Sequence, residues 1–584
     1  MGAFASLFRR RPRLFSSVPL VLALFAAGCS GLFEGDGDGS APSTPDAGDG
    51  IAVPSPEDPA SPDPGDDVGL RTPSPCAAEP LGKRQLRLLS RAEYANAIAD
   101  VLGIAAPNTD RIPVEPRVDG YDTDGNAAVV TPTHLDAYAD LAKTVAVKAL
   151  AERRSALVPC TTRDLACAKQ VVRSTGRRLL RGTLDDATVS RFAALAESAN
   201  TGGDFDAGLV LVVRALLQSP AFLYRHELGA SAAGGYALTG AETASILAFT
   251  LWQTTPDDAL LDAADRGELA SAPGVRRHAE RLLADPRAER GLLHFARGWL
   301  GTEGAAAAHT DLAVYPQFTQ AVREAMRDEE KAFVREHFLG AERRFADLFE
   351  TKTLHVNDPL AAYYGLARPG TGSAFTKVVA PSTTTRGGVL TLGTVLASHA
   401  HASETSPVKR GRFVRERMLC QPLPPPPPNL NTTPPGLDPS KTTRERFAAH
   451  TANVACSGCH KFIDGVGFGF ESFDGAGAER RFEHGLPVDA RGELLARESF
   501  DLATRESFDG PRALGYLLAS SARAERCVAT QFHRFTRGYA EADTCDARRL
   551  ADQFMSVNGD LRELVLRTLT ARSVRERRDD GAQP

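Results

Sequence analysis

The chain has 584 residues, 42% of them hydrophobic and 24% charged, with a formal net charge of −5. That length accommodates about three or four domains, and the balance is that of a globular protein rather than a disordered or fibrous one. The mild acidity, with arginines dispersed beyond the N-terminus, offers no basic field to a polyanion, so nucleic acid is not an expected partner.

Four arginines, Arg9, Arg10, Arg11 and Arg13, precede a mostly apolar run over 14–27 that ends in Ala26-Ala27-Gly28-Cys29. A basic head, a short apolar stretch and small residues before a cysteine predict an export signal over 1–29. Its end is similar to a bacterial lipobox, which makes Cys29 the lipidated first residue of the mature chain. An ordinary cleaved signal and an uncleaved anchor are the alternatives. The run is short for a bilayer span, so membrane contact is expected through the N-terminal lipid anchor only. Ser30 carries no retention charge, which points to the outer membrane of the cell envelope, periplasmic or surface-exposed. The segment 30–75 is crowded with Gly, Asp, Pro and Ser, cannot bury a core and reads as a disordered tether.

From Leu86 the pattern turns helical. Ser90 with Glu93 predicts a capping box, followed by Tyr94, Ile98, Val101 and Leu102 at helical spacing before Gly103. Amphipathic periodicity predicts helices over 133–152, 165–180 and 186–198, and the apolar stretch 209–217, stopped by Ser219-Pro220, predicts a buried one. The loop 119–126, with Asp119, Asp122 and Asp124 between glycines, lacks the bidentate Glu of an EF-hand and reads as a loop rather than a calcium site. A second capping box, Thr239 with Glu242, opens a helix through Trp252, and further helices fit 275–284, 289–300, 318–338 and 344–349. His294 and His337 lie on apolar faces, where core residues are expected. The domains drawn from these shifts are 76–155, 156–230 and 231–366, each helical, then 367–500 and a helical 501–584.

The segment 367–500 carries the sharpest chemistry. After the proline rod 424–428, Thr442 and Glu445 cap a short helix that leads into Cys456-Ser457-Gly458-Cys459-His460. This is the C-x-x-C-H spacing of c-type haem attachment, in which two thiols bond one porphyrin and the adjacent imidazole binds iron as proximal ligand. A disulfide or redox pair, a zinc site and unreactive thiols are the competing readings. Zinc is disfavoured because the motif offers three ligands and no second C-x-x-C follows.

Several blocks together resemble the exported multi-domain proteins of planctomycetes and myxobacteria, tandem domains of unknown function with a cytochrome-c-like motif. The residues that carry the likeness are Leu89-Ser90-Arg91-Ala92-Glu93-Tyr94, Ser219-Pro220-Ala221-Phe222-Leu223-Tyr224-Arg225, Leu251-Trp252 with Pro256-Asp257-Asp258, Leu360-Ala361-Ala362-Tyr363-Tyr364-Gly365 and Thr405-Ser406-Pro407-Val408-Lys409-Arg410-Gly411. The motif itself, continuing to Asp464, Gly467, Glu471, Phe473 and Asp474, completes the set. The chain departs from the pattern at Gly465-Val466, where proline is usual after Asp464, and at Arg537-Gly538-Tyr539, where Gly-Arg is expected. The resemblance implies haem as the usual occupant of the motif but no particular reaction.

Nine cysteines fit an oxidising compartment. With Cys29 given to lipid and Cys456 and Cys459 to haem, six remain. Proximity pairs Cys160 with Cys167 and Cys527 with Cys545, leaving Cys76 with Cys420; six cysteines allow fifteen pairings. If His460 holds iron, the sixth ligand decides the chemistry, with His450, His399, His401, His484 and Met555 as candidates. Asp464, Glu471, Asp474 and Asp489 admit a hydrolase only as a minor alternative, since acidic residues among Gly-Phe-Gly-Phe serve more simply as turn formers or acceptors for backbone N–H. The expectation is a mainly α protein of several helical domains in tandem with a C-terminal cytochrome-c-like unit. It would carry haem c in electron transfer or haem-based oxidation, with a redox protein or another exported protein as partner. The alternative from a different class is a non-catalytic envelope scaffold or glycan- or protein-binding module, with Cys456 and Cys459 as a disulfide.

Overall fold

Local capping chemistry sets the first helix. The Glu93 amide donates to Ser90 Oγ at 3.1 Å and the Ser90 amide donates to the Glu93 carboxylate at 3.0 Å, so the capping box opens the helix Arg91–Leu102. Gly103, at φ 68°, closes it in the left-handed region where a Cβ is costly. The computed structural model describes residues 81–198, 204–303, 310–423, 433–451, 454–495, 505–539 and 545–579, without the side chains of 449–456 and 505. The expected signal with Cys29, the tether, Cys76, the proline rod and the side chains of His450 and Cys456 lie outside the described residues.

The architecture is mainly α. Pro132–Leu157, Leu165–Val171, Asp186–Ser198 and Phe205–Gln218 follow the first helix, with a π-helical turn, Val172–Gly176, continuing Leu165–Val171. Their apolar faces share one core, in which Tyr94, Tyr138, Leu179, Leu209, Leu216 and Phe222 are buried together. Gly240–Trp252, Asp258–Asp265, Ala272–Leu283, Ala288–Leu300 and Gln320–Leu339 continue the chain. A second and larger core joins Trp252 and Phe295 to Phe413, Val466, Phe532 and Leu564, so the last helices, Ala522–Arg537, Cys545–Met555 and Leu561–Thr570, pack into the same interior as the middle of the chain. Among the described residues no helix is long and apolar enough to cross a membrane.

Short antiparallel pairs fasten distant segments. Gln85–Leu88 runs against Tyr224–Glu227, Thr353–Val356 against Thr376–Val379, and Arg491–Leu495 against Arg505–Asp509. The first pair carries a buried ion cluster. Arg225 reaches Glu93 at 3.2 Å and Glu227 at 3.3 Å, while Arg87 and Arg577 approach Glu227 at 3.3 and 3.0 Å. Gln85 donates to the other side of Glu227 at 2.7 Å and to the Arg537 carbonyl at 2.7 Å. All these charged side chains are buried, as charges withdrawn from water must be when they are paired. Segments at 85–93, 225–227 and 577 thereby meet at one carboxylate.

Two cystine bridges are described. Cys160 is bonded to Cys167, with Cα atoms 5.7 Å apart. Cys527 is bonded to Cys420 rather than to Cys545, with Cα atoms 5.3 Å apart. Nearness in sequence misleads here because a helix separates the two residues. Cys545 starts the next helix, whose Asp546 accepts a hydrogen bond from His533, and His533 stands roughly 9 Å along the helix axis from Cys527. The expected Cys76 to Cys420 bridge falls with it. Cys545 is itself disulfide-bonded.

Candidate functional site

The C-x-x-C-H motif lies on the helix Val454–Phe468. Its approach is built by the cap of the preceding helix, Thr443–Thr451. There the Thr442 amide donates to Glu445 at 2.7 Å, and the Thr443 amide and hydroxyl both donate to Glu483 at 2.7 Å. The motif helix then crosses Pro407–Phe413 at very close range. A Cβ placed on Gly467 would stand 1.9 Å from the Pro407 carbonyl oxygen, and one on Gly411 would stand 2.1 Å from that of Ile463. These glycines let the two backbones touch.

Helical spacing puts positions 456, 459 and 460 on one side of this helix, because residues three and four apart are neighbours. Cys459 is an exposed free thiol. Among the described residues nothing lies within 4 Å of a Cβ built on Gly458. His460 is half-buried and donates its Nδ1–H to both carboxylate oxygens of Asp464, each at 3.1 Å. Asp464 is buried one turn further along the same helix. The hydrogen bond to Asp464 raises the His460 pKa above its ordinary value against the opposing effect of burial. With Nδ1 as donor, the neutral ring carries its lone pair on Nε2. A carboxylate behind an imidazole is the arrangement that fixes ring orientation in metal-binding histidines. Asp464, expected as a turn former or an acceptor for backbone N–H, accepts from His460 instead; the i, i+4 spacing between them is the signal in the sequence.

The block 405–411 supports the motif from behind. Ser406 caps Pro407–Phe413, and Arg410, fully buried, donates to the carbonyls of Phe470, Phe473, Asp474 and Leu396 at 3.0, 2.8, 2.6 and 3.2 Å. Thr405 and Arg480 both donate to Glu471, at 2.9 and 2.7 Å. Burial raises the pKa of Glu471 against the pull of Arg480 and Arg410, and burial likewise raises Asp474, whose Oδ1 accepts the amides of Ala476 and Ala478. Asp489 is lowered to about 2, first by its hydrogen bonds from Arg491. Glu471, Asp474 and Asp489 are thus engaged by arginine, hydroxyl or backbone donors, and no two of them are hydrogen-bonded to each other as an acid and base pair among the described residues. Neither Arg410 nor Arg386, which lies 3.5 Å over the Tyr364 ring, stands out in sequence as a buried residue.

The candidate sixth ligands are dispersed. His399 donates Nε2–H to the Leu300 carbonyl at 2.8 Å and stacks on Phe413, and burial drops its pKa to about 4. His401 is half-buried and also lowered by burial. His484 is exposed at φ 51° in the turn between Phe482–Glu483 and Leu486–Pro487, beside the cap that Glu483 provides. Met555 ends a helix packed on Ala522–Arg537 and Leu561–Thr570.

Elsewhere, the loop 119–126 is anchored to the core by Tyr121, which is buried. His294 donates Nε2–H to Asp122 at 2.8 Å, and Glu303, paired with Arg117, lies close by, so that three potential ligand atoms fall within 4.8 Å. Burial would depress the His294 pKa, but the Asp122 carboxylate overrides it and raises it to about 9. With Arg117 and His294 against Asp122 and Glu303, the cluster balances as two ion pairs.

The chain matches four family models in order. Residues 87–151 match PSD3, protein of unknown function (DUF1587); 167–227 match PSD5 (DUF1595); 238–366 match PSD4 (DUF1592); and 386–483 match PSCyt3 (DUF1588). The last match contains Cys456, Cys459 and His460. No curated protein and no solved structure is significantly similar to the chain. The protein therefore carries tandem domains of the PSD3, PSD5, PSD4 and PSCyt3 families, all of unknown function.

Proposed function

We propose that the chain carries one haem c, attached through Cys456 and Cys459 with His460 as proximal ligand, and acts in electron transfer or haem-based oxidation at the cell envelope. The observation that carries this reading is the free, exposed Cys459 thiol next to an imidazole whose Nδ1–H is held by Asp464. The donor set fits the group: two thiols and an imidazole at attachment spacing, on a helix with open space at Gly458. Haem bound there supplies one-electron iron chemistry. The chain's own part is positional. Asp464 fixes the tautomer and plane of His460, Arg410 gathers the carbonyls that follow the motif, and the glycine contact with Pro407–Phe413 sets the pose of the helix. Export by the N-terminal signal, lipid anchorage at Cys29 and a redox protein or another exported protein as partner complete the proposal.

The test is expression in a host with haem-c maturation machinery, followed by a denaturing gel stained for haem and an optical spectrum. Wild type is expected to show a covalent haem band that Cys459→Ala abolishes. A fully matured wild-type protein without the band overturns the reading.

A further inference from the structure

Resting on the haem reading above, we infer that Asp464 is a positioning residue that tunes the iron, biasing it towards the ferric state by withdrawing the Nδ1 proton of His460 into a buried carboxylate.

The argument starts from the acceptor. His460 Nδ1 meets a carboxylate, not a neutral backbone carbonyl, and meets both of its oxygens at 3.1 Å. A charged acceptor makes the stronger hydrogen bond, and its partial removal of the proton raises the basicity of Nε2 across the ring. A more basic axial nitrogen stabilises the more positive iron, which lowers the reduction potential. The side chain of Asp464 is only 5% exposed while that of His460 is 22% exposed, so the pair sits where solvent screens it little. Geometry is preset rather than induced. The two residues are one turn apart on a helix whose pose is fixed by the Gly467 and Gly411 contacts, so the ring and the carboxylate meet without reorganisation. The side chain acts on the iron through its hydrogen bond with His460.

The experiment compares matured wild type, Asp464→Asn and Asp489→Asn by spectroelectrochemical titration, with the haem content of each measured on denaturing gels. Asparagine keeps an acceptor oxygen and loses the charge. Asp464→Asn is expected to retain covalent haem and to shift the ferric-to-ferrous ratio at a fixed poise about tenfold towards ferrous, an upward move of about 59 mV. Asp489→Asn removes the same charge from a carboxylate bound by Arg491 and is expected to leave the potential unmoved. An unchanged potential in haem-loaded Asp464→Asn overturns the inference while leaving the haem assignment standing. Absence of haem from the wild type overturns both. Should Asp464→Asn fail to mature, the wild-type holoprotein still decides: an exchange-protected Nδ1–H resonance of His460 is expected, and a rapidly exchanging one overturns the inference.

Discussion

A protonated imidazole buried beside a carboxylate ties stability to pH, and His294 is the place where this chain does so. Its pKa in the folded state is about 9, raised from 6.5 by Asp122 against the cost of burial. The folded state therefore binds this proton more tightly than the unfolded chain. The stabilisation is full below pH 6.5, declines between 6.5 and 9, and is gone above 9, with an upper bound of about 3 kcal/mol. Urea midpoints measured across that window should fall in wild type and lie nearly flat in His294→Gln. Residues of this kind were partly legible. The C-x-x-C-H motif declared itself by spacing, and His294 by its place on an apolar face. The partners of both histidines did not, because Asp122 and Asp464 sit among glycines, where short acidic side chains ordinarily make turns.

At the scale of elements, the motif helix depends on a contact that has no side chain. Gly467→Ala would push a methyl to within 1.9 Å of the Pro407 carbonyl oxygen and force the two helices apart. A loss of about 3 kcal/mol in chemical denaturation, with less covalent haem at equal expression, is expected. Gly458→Ala, with nothing within 4 Å, should be neutral or stabilising by about 0.5 kcal/mol. Capping boxes were the most legible elements: Ser90 with Glu93, Thr239 with Glu242 and Thr442 with Glu445 all open helices in the structure. The strands escaped notice because they run for two to five residues, too short for alternation to rise above the helical pattern. The helix through Gly465-Val466-Gly467 was hidden for the opposite reason, since glycines that serve close packing look like glycines that break helices.

For the whole molecule, Glu227 is the point at which remote parts of the chain are joined. Glu227→Ala would leave Arg87, Arg225 and Arg577 buried without the carboxylate they share. A cost of about 3–5 kcal/mol is expected, read as a fall in the denaturation midpoint, while Glu576→Ala, at a more open ion pair with Arg572, should cost less than about 1 kcal/mol. Nothing in the pattern of Gln85, Arg87, Arg225 or Arg577 taken singly announces this assembly, since charged residues at those spacings ordinarily face water. The same holds for the sharing of one core between the middle and the end of the chain. Such joins are made by tertiary proximity, which periodicity does not encode. The Cys420 to Cys527 bridge, with a sequence separation of 107, also encloses the motif helix in a covalent ring. A protease that nicks the backbone anywhere inside that ring leaves the pieces joined, and only reduction of the bridge releases them.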